Sequence, residues 1–166
     1  MSQATAAPYD GLYQVAYVTN DFARALAQFR QTHGIADFMQ LPRMNYATRQ
    51  SRVAICNIAL AYVGAIEIEV IEPLEGDVQF YRDFLPGDGT FAVRFHHLCR
   101  LFDSKEALER QVEHHRAEGR AMPVDGAAPG TARYFYADFR AELGHYLEGI
   151  YFEPEARSFL ASIPRY

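Results

Sequence analysis

Four polar side chains lie inside segments that otherwise read as hydrophobic strands: Gln14, Glu69, His97 and Glu148. A carboxylate or amide in such surroundings is costly to bury unless it is hydrogen-bonded, paired or bound to a metal. One imidazole nitrogen and three oxygens form a donor set that suits a divalent cation of borderline to hard character. Each residue also has a plainer reading. His97 can be a hydrogen-bonded core histidine, and Gln14 can simply hydrogen-bond within a pocket. Glu67 shares a strand face with Glu69, because alternate residues point the same way, so either can be the inward carboxylate. His96 and His145 fall out of phase with His97 and Glu148 and read as packing or supporting residues. His114 and His115 fall on a helix, where neighbours in sequence cannot share a face, and read as solvated surface.

Residues so far apart need elements that converge, and the chain supplies them twice. Leu12 to Val18 is rich in aromatic and β-branched residues and is followed by the turn-and-cap pair Asn20-Asp21, with Asn20 read as the capping residue. Phe22, Leu26 and Phe29 then recur at helical spacing, with Gly34 placed as a C-terminal cap. A weaker strand near Asp37 to Leu41 precedes the apolar run Val53 to Val63 and, after Gly64, the segment Ile66 to Ile71. In that last segment Ile66, Ile68 and Val70 form an aliphatic face suited to packing under the helix, which leaves Glu67 and Glu69 facing the other way.

The order then restarts. Phe95 to Phe102 reads as a strand, and Asp103 with Glu106 resembles a capping box for a helix carrying Ala107, Leu108 and Val112 toward Gly119. Strands follow near Met122 to Asp125, Ala132 to Asp138 and His145 to Phe152. Laying residues 13–18 over 96–101 makes Gln14 equivalent to His97, and the last strands make Glu69 roughly equivalent to Glu148. The predicted fold is α+β: two tandem βαβββ modules forming a curved mixed sheet around a central metal site. Module one covers about 12–73, a linker with a short helix around Val78 to Phe84 about 74–93, module two about 94–153, and a C-terminal tail 154–166.

With 166 residues, 49% of them hydrophobic, the chain can bury the core of one domain. Its net charge of −5 comes from interspersed signs without a basic block, which argues against a nucleic-acid partner. No apolar run approaches the roughly 18 to 20 residues that cross a bilayer. Met1 to Asp10 does not read as a secretory signal, so a cytoplasmic protein is expected. Cys56 and Cys99, in apolar segments with no pairing motif, are expected to be buried, reduced thiols.

The strand motif Phe95-His96-His97-Leu98-Cys99 and the run Gly144-His145-Tyr146-Leu147-Glu148 resemble the metal-ligand strands of the vicinal oxygen chelate superfamily, which includes glyoxalases, bleomycin-resistance proteins and extradiol dioxygenases. Glu69-Val70-Ile71-Glu72-Pro73 is similar to that family's first carboxylate strand, a match that favours Glu69 over Glu67. The resemblance runs from about Leu12 to Pro154. The Gln, Glu, His, Glu order is similar to the metal set of glyoxalase I, whereas the Phe95 to Cys99 motif and the length resemble methylmalonyl-CoA epimerase-like members.

The resemblance implies one divalent ion (zinc, nickel, manganese, cobalt, iron or magnesium) held by Gln14, Glu69, His97 and Glu148. It implies a lyase or isomerase that removes a proton beside a carbonyl of a small oxygen-rich compound through a metal-stabilised enolate or enediolate. Glu148 would serve as the base and Glu69 as its opposite-face partner. Neither a glutathione-binding pattern nor a basic cluster for a CoA phosphate is evident. Gln14, where ring-cleaving dioxygenases carry histidine, argues against that branch. The alternatives are a metal-free sequestering protein of the bleomycin-resistance type and, behind it, a ring-cleaving dioxygenase. The implied partners are a small-molecule substrate and a second copy of the chain, because such modules leave edge strands and a broad sheet surface.

Overall fold

The computed structural model describes residues 10–49 and 51–166, so most of the segment read above for a secretory signal lies outside the described residues. In module one, β1 (Leu12–Thr19) leads into α1 (Phe22–His33), β2 (Met39–Ala47), β3 (Val53–Val63) and β4 (Ile66–Gly76). The connection holds α2 (Gln79–Arg82). Module two repeats the order with β5 (Val93–Leu101), α3 (Lys105–Ala117), β6 (Val124–Ala128), β7 (Ala132–Phe139), α4 (Arg140–Leu143) and β8 (His145–Phe152). The tail is not irregular. A 3-10 turn at Pro154–Ala156 runs into α5 (Arg157–Ser162).

All eight strands join one sheet in the order β2-β3-β4-β1-β5-β8-β7-β6, which is unchanged when the modules are exchanged. β1 is parallel to β4 and β5 to β8, while β1 meets β5 antiparallel. In that ladder Gln14 pairs with Cys99, Ala16 with His97 and Val15 with Leu98. Exchanging equivalent residues converts the first pair into the second and leaves the third in place, so a pseudo-twofold axis passes by Val15 and Leu98.

Each helix covers the outer face of its own module. Ala25, Leu26 and Phe29 of α1 pack with Ile68, Val70, Ala59 and Ala61, as the aliphatic face of β4 requires. Leu108 and Val112 of α3 pack with Phe135 and Ala137. The largest cluster fills the inner side of the sheet with Val18, Ile71, Tyr81, Tyr136, Tyr146 and their neighbours. Cys56 and Cys99 are buried free thiols, as expected.

Several local expectations shift. The helix caps are Asp21 and Ser104, one residue later than Asn20 and Asp103, and they accept the amides of Arg24 and Ala107 at 3.0 and 3.2 Å. Ser104 holds the extended backbone that a cap requires. The displaced Asn20 instead pins the linker, donating to the Thr90 carbonyl at 2.8 Å and accepting from Ala92 at 3.0 Å. β2 is longer than its sequence suggested because a bulge between Leu41 and Met44 lets it continue to Ala47. His115 is not solvated. It follows Leu108 and Val112 on the buried stripe of α3 and lies among Phe135 and Phe139, and burial pushes its pKa down to about 4.

The two outer strands approach each other where the sheet curls round. Asp125 donates its amide to the Thr48 carbonyl at 3.4 Å, and the Tyr134 hydroxyl donates to the Ala47 carbonyl at 3.1 Å. Gly126 makes this seam possible, since a Cβ there would stand 2.3 Å from the Ala47 carbonyl oxygen and 2.9 Å from the Tyr134 ring. Gly126→Ala must therefore push backbone from backbone, at a cost of about 1–3 kcal/mol. A drop of roughly 2–4 °C in melting temperature per kcal/mol is expected by circular dichroism. An unchanged melt would mean that the seam carries no stability.

Candidate metal centre

The same register in both modules places the four polar side chains. Glu69 pairs across the ladder with Ala16, two residues beyond Gln14, and Glu148 pairs with Cys99, two residues beyond His97. The antiparallel β1–β5 junction then brings the halves together. All four residues are buried, His97 completely. His97 Nε2 lies 2.9 Å from Glu148 Oε2, 3.4 Å from Glu69 Oε2 and 3.4 Å from Gln14 Oε1. Donor atoms of Glu69, His97 and Glu148 all fall within 4.8 Å of one another.

Hydrogen bonds fix which atoms are offered. The Gln14 amide nitrogen donates to Glu67 Oε1 at 2.6 Å, so its oxygen is the atom turned toward His97. The Tyr13 hydroxyl donates to Glu67 Oε2 at 3.0 Å and shares a bond with Tyr62. Of the two inward carboxylates on β4, Glu69 thus joins the cluster and Glu67 orients Gln14. Behind His97, the only group that His96 Nε2 can offer the Phe80 carbonyl, 3.2 Å away, is a proton. His96 Nδ1 is then an acceptor, and His97 Nδ1 donates to it at 2.8 Å. This chain leaves His97 Nε2 as the atom directed at the oxygens. His96 therefore supports the cluster, but not from the opposite face that strand alternation suggested: the ladder is irregular between Ala16 and Tyr17, and His96, the extra residue there, turns its ring inward among Tyr81, Tyr136 and Tyr146, while His145 packs against Phe95.

Three oxygens surround one ring nitrogen, an arrangement that a single shared proton serves poorly, because it can bond only one of them at a time. A divalent cation would satisfy all four donors, so the residues fit such an ion. The proton balance points the same way. Burial alone would lower the His97 pKa, yet hydrogen bonds and attraction from Glu148 and Glu69 outweigh it and hold the group at about 9. Burial raises Glu67; bonds from Gln14 and Tyr13 offset part of the rise, repulsion from Glu69 adds to it, and the value stands at about 7. Burial likewise raises Glu69.

A raised pKa on His97 stabilises the metal-free fold fully below about 6.5, and that contribution is lost as pH rises through about 9. Raised carboxylate pKa values add a loss of the same sign as Glu67 ionises through about 7. His96 and His115, whose pKa values are lowered by burial, oppose the trend only while the unfolded-state imidazoles finish losing their protons just above 6.5, a smaller effect than the loss at His97. The chain in the presence of a chelator is thus expected to have a lower urea midpoint at pH 9 than at pH 6.5. A midpoint that rises over this interval would refute the shared-proton arrangement.

Above the cluster is a cavity of about 140 Å³. Gln14, Glu67, Glu69 and Glu148 form its polar floor, and Leu60, Ile58, Ile150 and Phe152 are among its apolar walls. Tyr46, Tyr81 and Tyr136 form a hydroxyl relay at one side, with Tyr81 and Tyr136 2.9 Å apart. Burial pushes all three phenols up, so they stay protonated. Phe159 and Leu160 of α5 complete the lining. The tail holds them there by closing on the exposed end of β3: Tyr62 donates its amide to the Pro164 carbonyl at 2.8 Å, and its carbonyl accepts from Tyr166 at 2.9 Å. No sequence motif marked Phe80, Tyr81 or Phe159 for this site. Their only signal was apolar spacing within the linker and tail.

The family model of the Glyoxalase/Bleomycin resistance protein/Dioxygenase superfamily matches residues 13–137. Among curated proteins, none matches the chain. Solved structures that resemble it include methylmalonyl-CoA epimerase from Mycobacterium tuberculosis, with 14% identity over 95% of this chain and 97% of that one and a TM-score of 0.56. A hypothetical protein from Bacillus halodurans C-125 has 19% identity over 84% of this chain and 92% of its own, with a TM-score of 0.55. At these identities the likeness is one of fold.

Proposed function

Since the chain belongs to the glyoxalase/bleomycin resistance protein/dioxygenase superfamily, we propose that it is a metal-dependent lyase or isomerase acting on a small oxygen-rich carbonyl compound by removing a proton beside the carbonyl. The observation that carries this reading is the convergence of Glu69, His97 and Glu148 beneath the cavity. Gln14 Oε1, His97 Nε2 and one oxygen each of Glu69 and Glu148 would hold a divalent ion. When bound, such an ion supplies Lewis acidity to substrate oxygens.

The chain's own residues provide the rest. Glu148 and Glu69 occupy equivalent places about the pseudo-twofold axis and approach the cluster from opposite modules. We assign Glu148 to take the proton from carbon and Glu69 to deliver one from the other side. Gln14, held by Glu67, and His97, held by His96, fix the floor on which the substrate oxygens rest. The apolar walls exclude water from the carbanionic side of the reaction. An apolar cavity alone would also suit a sequestering protein. Three buried carboxyls at its floor are a costly addition for that purpose.

Elemental analysis after reconstitution with zinc, nickel, manganese and iron(II) is expected to find close to one ion per chain. The loaded chain is expected to speed deuterium exchange at the carbon beside the carbonyl of a small hydroxy ketone, read by proton NMR. No retained ion under any of these conditions would transfer the assignment to a sequestering protein.

A further inference from the structure

The floor and walls of the cavity differ sharply in character, and together they define what can enter. Three carboxyls, Glu67, Glu69 and Glu148, face it, and among the described lining residues none is lysine or arginine. Even with a divalent cation seated, three ionised carboxylates leave no positive surplus at the floor. An anionic group carried on the body of a ligand would meet apolar wall, the neutral hydroxyls of Thr131 and the tyrosines, and like charge, with no cationic side chain to pair with, and burying a charge without such a partner is strongly unfavourable.

Size narrows the class further. The cavity of about 140 Å³ is close to the ~150 Å³ of an apolar cavity that admits benzene, and well below the roughly 300–1,000 Å³ of pockets that take drug-sized ligands. Phe159 and Leu160 on one side and Leu60 and Ile58 on another bound this volume. Ile163, 2% exposed, and the hydrogen bonds of residues 164–166 to β3 tie the α5 segment down.

Resting on the metal-centre reading above and narrowing its oxygen-rich class, we infer that the ligand is a neutral, ring-sized carbonyl compound whose oxygens are gathered at one edge and whose remaining body is apolar, such as a cyclic hydroxy ketone, and that anionic acids and nucleotide-bearing thioesters are excluded. The oxygen-bearing edge meets the polar floor, and the carbon body lies against the apolar walls.

The test uses the full chain loaded with zinc and titrated by calorimetry with 2-hydroxycyclohexanone, with 2-hydroxycyclohexanecarboxylate as an anion of similar body, and with propionyl-CoA. The neutral ketone is expected to bind at least tenfold more tightly than the carboxylate, with no heat from the thioester. Ile58→Trp and the milder Ala132→Leu, at residues that line the cavity and pair across their ladders with Ile71 and Phe152 rather than with any proposed ligand, are expected to weaken ketone binding at least tenfold while zinc content stays unchanged. Tighter binding of the carboxylate or the thioester, or ketone binding untouched in both folded variants, would overturn the inference while leaving a stoichiometric metal centre intact. If the chain retains no zinc, the metal-centre reading falls by itself. Cyclohexanone binding that is lost in Ala132→Leu would then still uphold the neutral apolar class, and its absence would overturn that class as well.

Discussion

Glu148→Gln is expected to lower kcat by about 10²–10⁴-fold, the range over which a positioned general base acts. The substitution keeps the shape of the side chain and an oxygen able to face His97, from which Glu148 now lies 2.9 Å away. It removes the capacity to take a proton. Because Gln14 already offers an amide oxygen to the same cluster, a second amide oxygen is chemically compatible with it, and at high ion concentration the variant should load. The measurement is turnover of a hydroxy ketone by protein whose ion content has been matched to that of the parent. Full turnover at equal loading would remove Glu148 from the proton-transfer role.

His97→Ala is expected to reduce ion affinity by more than the 10–100-fold that loss of a supporting partner produces, since it deletes the cluster's only nitrogen donor. His96→Phe provides the graded comparison. It preserves an aromatic ring among Phe80, Phe84 and Tyr146 but removes the acceptor of the His97 Nδ1 proton. A buried donor left unpaired costs about 1–3 kcal/mol, and the ring is freed to turn its Nε2 away from the oxygens. The expected order of affinities, read by competition with a chromogenic chelator, is parent, then His96→Phe lower by about 10–100-fold, then His97→Ala lowest. Equal affinities for parent and His96→Phe would show that packing alone orients His97.

The order of elements was legible in the sequence because the two periodicities are strong where it matters. Ile66 to Ile71 alternates cleanly, and β4, β7 and β8 begin where the pattern places them. The duplication carried the rest: the offset that equates Gln14 with His97 also equates the observed caps, Asp21 with Ser104. The one-residue cap error arose because Asn20 and Asp103 are themselves good capping types, and only backbone conformation decides between neighbours.

Other features could not be read from residue types. His115 was assigned to solvent with His114 because adjacent helical residues diverge, but that rule says only that they differ, not which one turns inward. The support for His97 passes through a main-chain carbonyl, at Phe80, and carbonyls carry no sequence signature. The division of labour between Glu67 and Glu69 depends on hydrogen bonds from Gln14 and Tyr13 that exist only once β1 and β4 are paired. The tail's part in lining the cavity rests on contacts between residues a hundred positions apart, beyond the reach of local periodicity.

The pseudo-twofold junction has a thermodynamic corollary. Two of the proposed ligands, Gln14 and Glu69, come from module one, and two, His97 and Glu148, from module two, so an ion seated there acts as a clasp between halves that otherwise adhere through the β1–β5 ladder, the Gly126 seam and the shared inner core. Affinity for the ion and affinity of one half for the other then become two measures of a single equilibrium. Free ion at a hundred times its dissociation constant would add about 2.7 kcal/mol to the closed form. The resting stability of this protein would accordingly follow the metal supply around it, and scarcity of the ion would weaken the joint between its halves at the same time as it silenced the site.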